Sequence, residues 1–208
     1  MKIICIALSW LVLVGTCCPQ RDPTGDQSHG NPTGALNDEL RELRSFAQRI
    51  TASQDDHQKA LLWLSLNRGA QQFADRMNIT FPDTTLQGDK ISPPNAQKLA
   101  QEASSYGVRI EYCEVSAKWS ADNQGYLKYL ELWPGGPDAD ESTWMGPMQH
   151  AAFCGDFEGS VKELRENIAK QKQFLKRFPN SRFARQARQE LADSEAQLAD
   201  VLKSNKTQ

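Results

Sequence analysis

The chain has 208 residues, and its 24 Lys and Arg are outnumbered by 26 Asp and Glu for a formal net charge of -2. That balance excludes a general nucleic-acid binder, because contacts to a phosphate backbone require clustered cations. A body of about 170 residues, left after a leader and a linker, is enough to bury a continuous core.

The first residues predict export. Met1 and Lys2 give a positive start, Ile3 to Val14 form an apolar run broken only by Ser9, and Gly15 and Thr16 precede Cys17 and Cys18. This is the anatomy of a signal peptide over residues 1–17. About twelve apolar residues fall short of the roughly twenty that a membrane span needs. Val14-Gly15-Thr16-Cys17 also resembles a bacterial lipobox, in which the Cys becomes the lipidated N-terminus. Thr16 stands where that pattern has Gly, Ala or Ser, so lipidation of Cys17 and ordinary signal cleavage both remain open. Residues 18–35 are rich in Pro, Gly and polar side chains and read as a flexible linker. Of the later cysteines, Cys113 and Cys154 can pair in an oxidising envelope or serve as small buried hydrophobes.

Apolar spacing then turns helical. Leu36, Leu40, Leu43, Ala47 and Ile50 share one face, and a second helix runs through Ala60 to Met77, giving a helical hairpin over residues 36–78. Ser53 and Asp56 have capping-box-like spacing between the two. Residues 79–95, with Pro82, Gly88, Pro93 and Pro94, predict an irregular loop that includes a short strand at Ile79 to Phe81.

Helices resume from Ala96 through Leu99, Ala103 and Tyr106, with Gly107 as a C-cap or an interior Gly. Val108 to Cys113 alternates like a strand, but Val115, Ala117 and Trp119 also continue a helical face, and helix is the preferred reading. Ser120 or Asp122 caps a helix that Pro134-Gly135-Gly136-Pro137 ends at Trp133. A C-terminal pair follows. Val161, Leu164, Ile168, Leu175 and Phe178 form one apolar arc stopped by Pro179, and Phe183, Ala184, Ala187, Leu191, Leu198, Val201 and Leu202 form the next after a cap at Asn180-Ser181.

Charge is uneven along this region. Acidic residues dominate from Glu111 to Glu158, whereas Lys162 to Arg188 is largely basic. Solvated helix faces account for such a pattern, and so does an acidic partner surface beside a basic one.

Placing Pro134 over Pro179 sets Tyr129-Leu130 over Phe174-Leu175, Trp133 over Phe178, Ala139 over Ala184 and Ser142 over Ala187, a spacing of 45 residues. Recurrence of this kind marks stacked helical units, none of which can bury its apolar face alone. The run from Tyr126 through Trp133, Pro134, Ala139 and Trp144 to Gly146 resembles the tetratricopeptide-like repeats of periplasmic YbgF-type proteins and BamD-like outer-membrane lipoproteins. Gly155-Asp156-Phe157-Glu158 resembles the turn within such a unit, and Phe174 to Ser181 resembles the junction to the next. The spacing here is longer than the usual unit of about 34 residues. The resemblance implies an all-α fold, antiparallel pairs stacked as a short tetratricopeptide-like array over residues 96–205, and a concave groove that binds a peptide or partner helix. Each aromatic of the motif also serves as simple core packing.

Dedicated chemistry is not visible. The histidines are His29, His57 and His150, and no HExxH, paired CxxC or dense carboxylate run predicts a metal or another cofactor. His150 and Cys154, four apart, would share a helix face and read either as base and nucleophile or as plain packing and a disulfide half. The sequence therefore points to a non-enzymatic scaffold or adaptor of the bacterial envelope, periplasmic or lipid-anchored to a membrane, with another envelope protein or peptide as partner and no nucleic acid. A helical envelope hydrolase and a self-associating structural subunit are the alternatives.

Overall fold

The computed structural model describes residues 32–82, 85–86, 89–90, 93–114, 116–148 and 159–204. The fold is mostly α-helical. Helix α1 (Pro32–Ala52) begins within the stretch expected to be linker, because its register already places Leu36, Leu40 and Leu43 in the core. Helix α2 (Asp56–Thr80) returns antiparallel to it, with Arg76 near its end paired to Glu39 near the start of α1. The cap of α2 is Asp55 and not Ser53, since Asp55 Oδ1 accepts the Gln58 N–H at 2.6 Å while the Ser53 hydroxyl donates to the Gln58 side chain. A carboxylate there is also favoured by the helix dipole.

The strand expected at Ile79 to Phe81 does not form. Ile79 and Thr80 complete the last turn of α2, and the Phe81 N–H closes on the Met77 carbonyl at 2.8 Å. Further on, β1 (Thr85–Leu86) and β2 (Asp89–Lys90) pair antiparallel, Thr85 opposite Lys90.

Helix α3 (Pro94–Ser104) packs through Ala96, Ala100 and Ala103, small residues that allow close approach. Gly107 then takes φ +107°, a conformation that reverses the chain after α3. The helix preferred for Val108 to Trp119 is instead a β-hairpin of β3 (Ile110–Cys113) and β4 (Lys118–Ala121), in register from Ile110–Ala121 to Cys113–Lys118. Alternation decides the matter: Val108 and Ile110 are buried on one side, and the left-handed Ala117 (φ 55°) turns the chain between the strands. Asn78 of α2 fixes the hairpin, its amide donating to the Trp119 carbonyl at 3.0 Å and its oxygen accepting the Trp119 N–H at 2.7 Å.

Helix α4 (Gln124–Leu132) lies antiparallel along α2, followed by α5 (Ala139–Thr143) and a π-helical turn over Trp144–Met148. Helices α6 (Val161–Arg177) and α7 (Ala184–Ser204) form the last antiparallel pair, joined across their length by Asn167–Ser194 and Gln171–Glu190 hydrogen bonds. A reciprocal capping box between Ser160 and Glu163 starts α6. Among the described residues no helix is long and apolar enough to cross a membrane.

Three clusters of side chains make the core. One joins α1, α2, α3 and the β-hairpin, a second joins α2 to α4 and α5, and a third joins the π-turn to α6 and α7. The clusters follow one another along the chain, so each helix pair covers the apolar face that its neighbour exposes.

Candidate functional site

Helix α2 is apolar on nearly every side between Ala60 and Leu66, so the polar pair that follows, Asn67 and Arg68, requires partners. Asn67 is 1% exposed. Its amide donates to the Asp122 carbonyl at 2.9 Å, and its oxygen accepts the N–H groups of Gly125 at 2.6 Å and Tyr126 at 3.3 Å. One side chain thus satisfies the open N-terminus of α4, assisted by Asp122 Oδ1 at the Gln124 N–H (3.1 Å). Ser120, the other cap candidate, pairs in β4.

Arg68 reaches the next junction. Its guanidinium donates to Glu141 at 2.8 Å and to Asp138 at 3.0 Å, and the second oxygen of Glu141 receives Arg182 from the corner before α7. Hydrogen bonding to Glu141, outweighing the cost of burial, raises the Arg68 pKa above its already high ordinary value. Glu141 is therefore a carboxylate shared between the preceding and the following helix pair. Beside it the Ser181 hydroxyl donates to Asp140 at 2.7 Å and Arg177 donates to the Pro134 carbonyl at 2.6 Å.

The two Pro-stopped corners are bonded alike. Trp133 N–H donates to Tyr129 O at 2.8 Å, and Phe178 N–H to Phe174 O at 2.8 Å. Gly136 bonds back to Trp133 as Ser181 does to Phe178, Ala139 to Gly136 as Ala184 does to Ser181, and Ser142 to Asp138 as Ala187 does to Phe183. Burial matches as well, with Tyr129 and Phe174, Ala139 and Ala184, and Ser142 and Ala187 all enclosed. The first corner needs Gly136, since a Cβ there would collide with the Tyr129 hydroxyl and the Trp133 ring. That hydroxyl accepts the Asp138 N–H at 3.0 Å, and burial pushes the Tyr129 phenol above its usual pKa. Burial, then the nearby charge of Glu141, does the same to Tyr126.

Other motif residues fall in place around these. Trp133 stacks on His57 at the start of α2, ring centroids 4.2 Å apart, which fixes the start of α2 beside the end of α4. Trp144 packs between Phe174 and Phe183 at 5.2 and 5.6 Å. Gly146 is buried against Tyr126 and Leu127, and Leu175 and Pro179 lie at the second corner. Where α4, the π-turn and α6 meet, a cleft of about 190 Å³ remains, with Leu130, Pro147, Met148 and Phe174 on its apolar side and Lys170 and Arg177 on its charged side. A second cleft of about 370 Å³ lies between Gly136–Pro137 and Phe178–Ser181, again bordered by Arg177.

Cys113 is buried at the end of β3 and disulfide-bonded. Cys154, His150, Gly155 and Asp156 lie outside the described residues, as do Cys17 and His29. Asn67 and Arg68 carry no sequence expectation of their own, and Glu141, with Asp138 and Asp140, carries only that of an acid at a helix start, where negative charge suits the dipole. The signal for them was a polar pair inside an apolar helix and an acid beside a Pro-Gly-Gly-Pro corner.

Residues 116–202 match the family model YfiO, described as an outer membrane lipoprotein. No curated protein and no solved structure gives a significant match. The matched segment starts in the turn between β3 and β4 and ends within α7, taking in both corners and both clefts and leaving α1 to β3 uncovered. The match supports the BamD-like side of the resemblance, and the setting it indicates is that of an exported lipoprotein of the cell envelope.

Proposed function

We propose that the chain is a non-enzymatic protein-binding adaptor of the bacterial envelope, anchored through a lipidated Cys17, that holds a peptide or helix of another envelope protein in the cleft between α4, the π-turn and α6. The carrying observation is that the segment matching an outer membrane lipoprotein family contains the two equivalent corners and the cleft between them. Helix pairs repeated in this manner bury one face on each other and leave a groove where successive pairs meet, the usual seat for an extended or helical ligand. A half-apolar, half-cationic lining supplies both an anchor pocket and polar contacts.

A photo-crosslinking residue placed at Gln173, which borders this cleft, tests the reading in the full chain expressed in its own envelope. A discrete protein adduct from position 173, with none from Lys203 near the far end of α7, is the expected result. Adducts of equal yield from both positions, or none from either, remove the support for an adaptor that uses this cleft.

A further inference from the structure

From Lys170 to Arg188 the sequence carries seven cations (Lys170, Lys172, Lys176, Arg177, Arg182, Arg185, Arg188) and no carboxylate. Among the described residues only two of them meet an acid, Lys172 with Glu195 and Arg182 with Glu141. Lys170, Arg177 and Arg188 donate to backbone carbonyls and, among the described residues, pair with no carboxylate. Lys176 and Arg185 are exposed and, among the described residues, have neither a hydrogen bond nor an ion pair. The first turn of α7 holds Arg185 and no acidic residue, although cations at a helix start oppose the dipole. A purely solvated surface gains nothing from this arrangement.

The same corner is already ordered. Arg177 lies over the Phe178 ring at 4.9 Å and Arg182 over Phe183 at 4.7 Å, which holds both guanidinium groups against neighbouring rings. Arg177 also borders both clefts. The nearby acids are engaged, Asp140 with Ser181 and Glu141 with Arg68 and Arg182.

Resting on the adaptor reading, we propose that the occupant of this corner is an extended acidic segment of another protein, its carboxylates on Lys170, Arg177 and Arg185 and an apolar side chain in the cleft beside Leu130 and Met148. A protein segment is favoured over a membrane surface by the shape of the site: Lys170 and Arg177 border a recessed cleft whose other side is Leu130, Pro147, Met148 and Phe174, which takes in a single side chain beside its carboxylates and which a flat headgroup layer does not fill.

Titration of the full-length protein with a fluorescein-labelled, Asp- and Glu-rich peptide containing a Leu, beside its Asn/Gln isostere and phosphatidylglycerol vesicles, tests the assignment. The acidic peptide should bind at least about tenfold more tightly than the isostere, weaken steeply with salt, and lose about tenfold in K170Q/R177Q/R185Q, which keeps amide donors for Pro147 O and Pro134 O. Lys162→Gln combined with Lys203→Gln should change binding less than about twofold. Equal affinity for peptide and isostere, equal binding by both variants, or vesicle binding with the same dependence on Lys170, Arg177 and Arg185 overturns the proposal. Should the crosslink at position 173 persist in the triple variant at undiminished yield, the acidic occupant fails while the adaptor stands.

Discussion

Asn67 and Gly125 are fitted to each other as a pair: the Asn67 side-chain oxygen accepts the Gly125 N–H at 2.6 Å, and a Cβ on Gly125 would lie 2.6 Å from Asn67 Cβ and 2.5 Å from the Trp63 carbonyl. The close approach of α2 and α4 and the capping of α4 are therefore one feature. Replacing Asn67 by Ala strands three buried backbone groups, with an expected loss of about 2–4 kcal/mol. Gly125→Ala forces the helices apart for a loss of about 1–3 kcal/mol. Urea unfolding of the two single variants and the double should be markedly non-additive, since either change alone opens the same contact.

Glu141 of α5 bonds both to α2 and to the corner before α7, so its removal should be felt at both junctions. Glu141→Gln retains the shape and one acceptor oxygen, but it removes the charge and sets an amide N–H donor against one of the two guanidinium groups. Because both arginines keep substantial solvent contact, the expected cost is only about 1–2 kcal/mol. A double-mutant cycle between Arg68→Ala and Glu141→Ala should give a coupling of about 0.5–1.5 kcal/mol that shrinks in high salt. Additive losses in that cycle would reduce the cluster to a surface decoration.

How far the sequence reached follows from where its pattern was unambiguous. Pro134 and Pro179 with their aromatic and small companions were legible because each residue has a single local reason to be there, and the backbone bonds at both corners repeat accordingly. Val108 to Trp119 was misread because a short apolar stretch satisfies both periods. The deciding facts, Asn78 holding Trp119 and Ala117 in a left-handed turn, are tertiary or conformational and leave no composition signal. Ser53 yields the cap to Asp55 because Ser53, Asp55 and Asp56, within four positions, are each competent. The bonds of Asn67, Arg68 and Glu141 were out of reach because their meaning depends on partners between 41 and 73 positions away.

The buried phenols predict a base-side loss of stability. Burial raises the pKa of Tyr126 and of Tyr129, so on unfolding each would ionise at lower pH than in the native protein. Their neutral forms favour the fold fully below the unfolded value of about 10, and the benefit disappears as pH climbs through the raised native values. Stability in urea should fall as pH rises above about 10, and the phenolate absorbance of Tyr126 and Tyr129 should develop late in the native protein. Tyr126→Phe should flatten part of that decline. An unchanged slope in that variant would assign the alkaline sensitivity elsewhere.

The disulfide at Cys113 carries a further expectation. We propose that its partner is Cys154, the remaining cysteine of the chain beyond Cys18. Such a bond ties the end of β3, and with it the hairpin held by Asn78, to the segment that precedes α6. It closes a loop long enough that its loss should cost about 3–4 kcal/mol, mainly by releasing the unfolded chain. Peptide mapping without reductant should recover one linked pair containing Cys113 and Cys154, and Cys113→Ser and Cys154→Ser should lower the unfolding midpoint equally. Unequal losses, or a linked peptide joining Cys113 to Cys17 or Cys18, would reject the pairing. The second outcome would also remove Cys17 or its neighbour as a free acceptor for lipid, so the same map bears on the anchor.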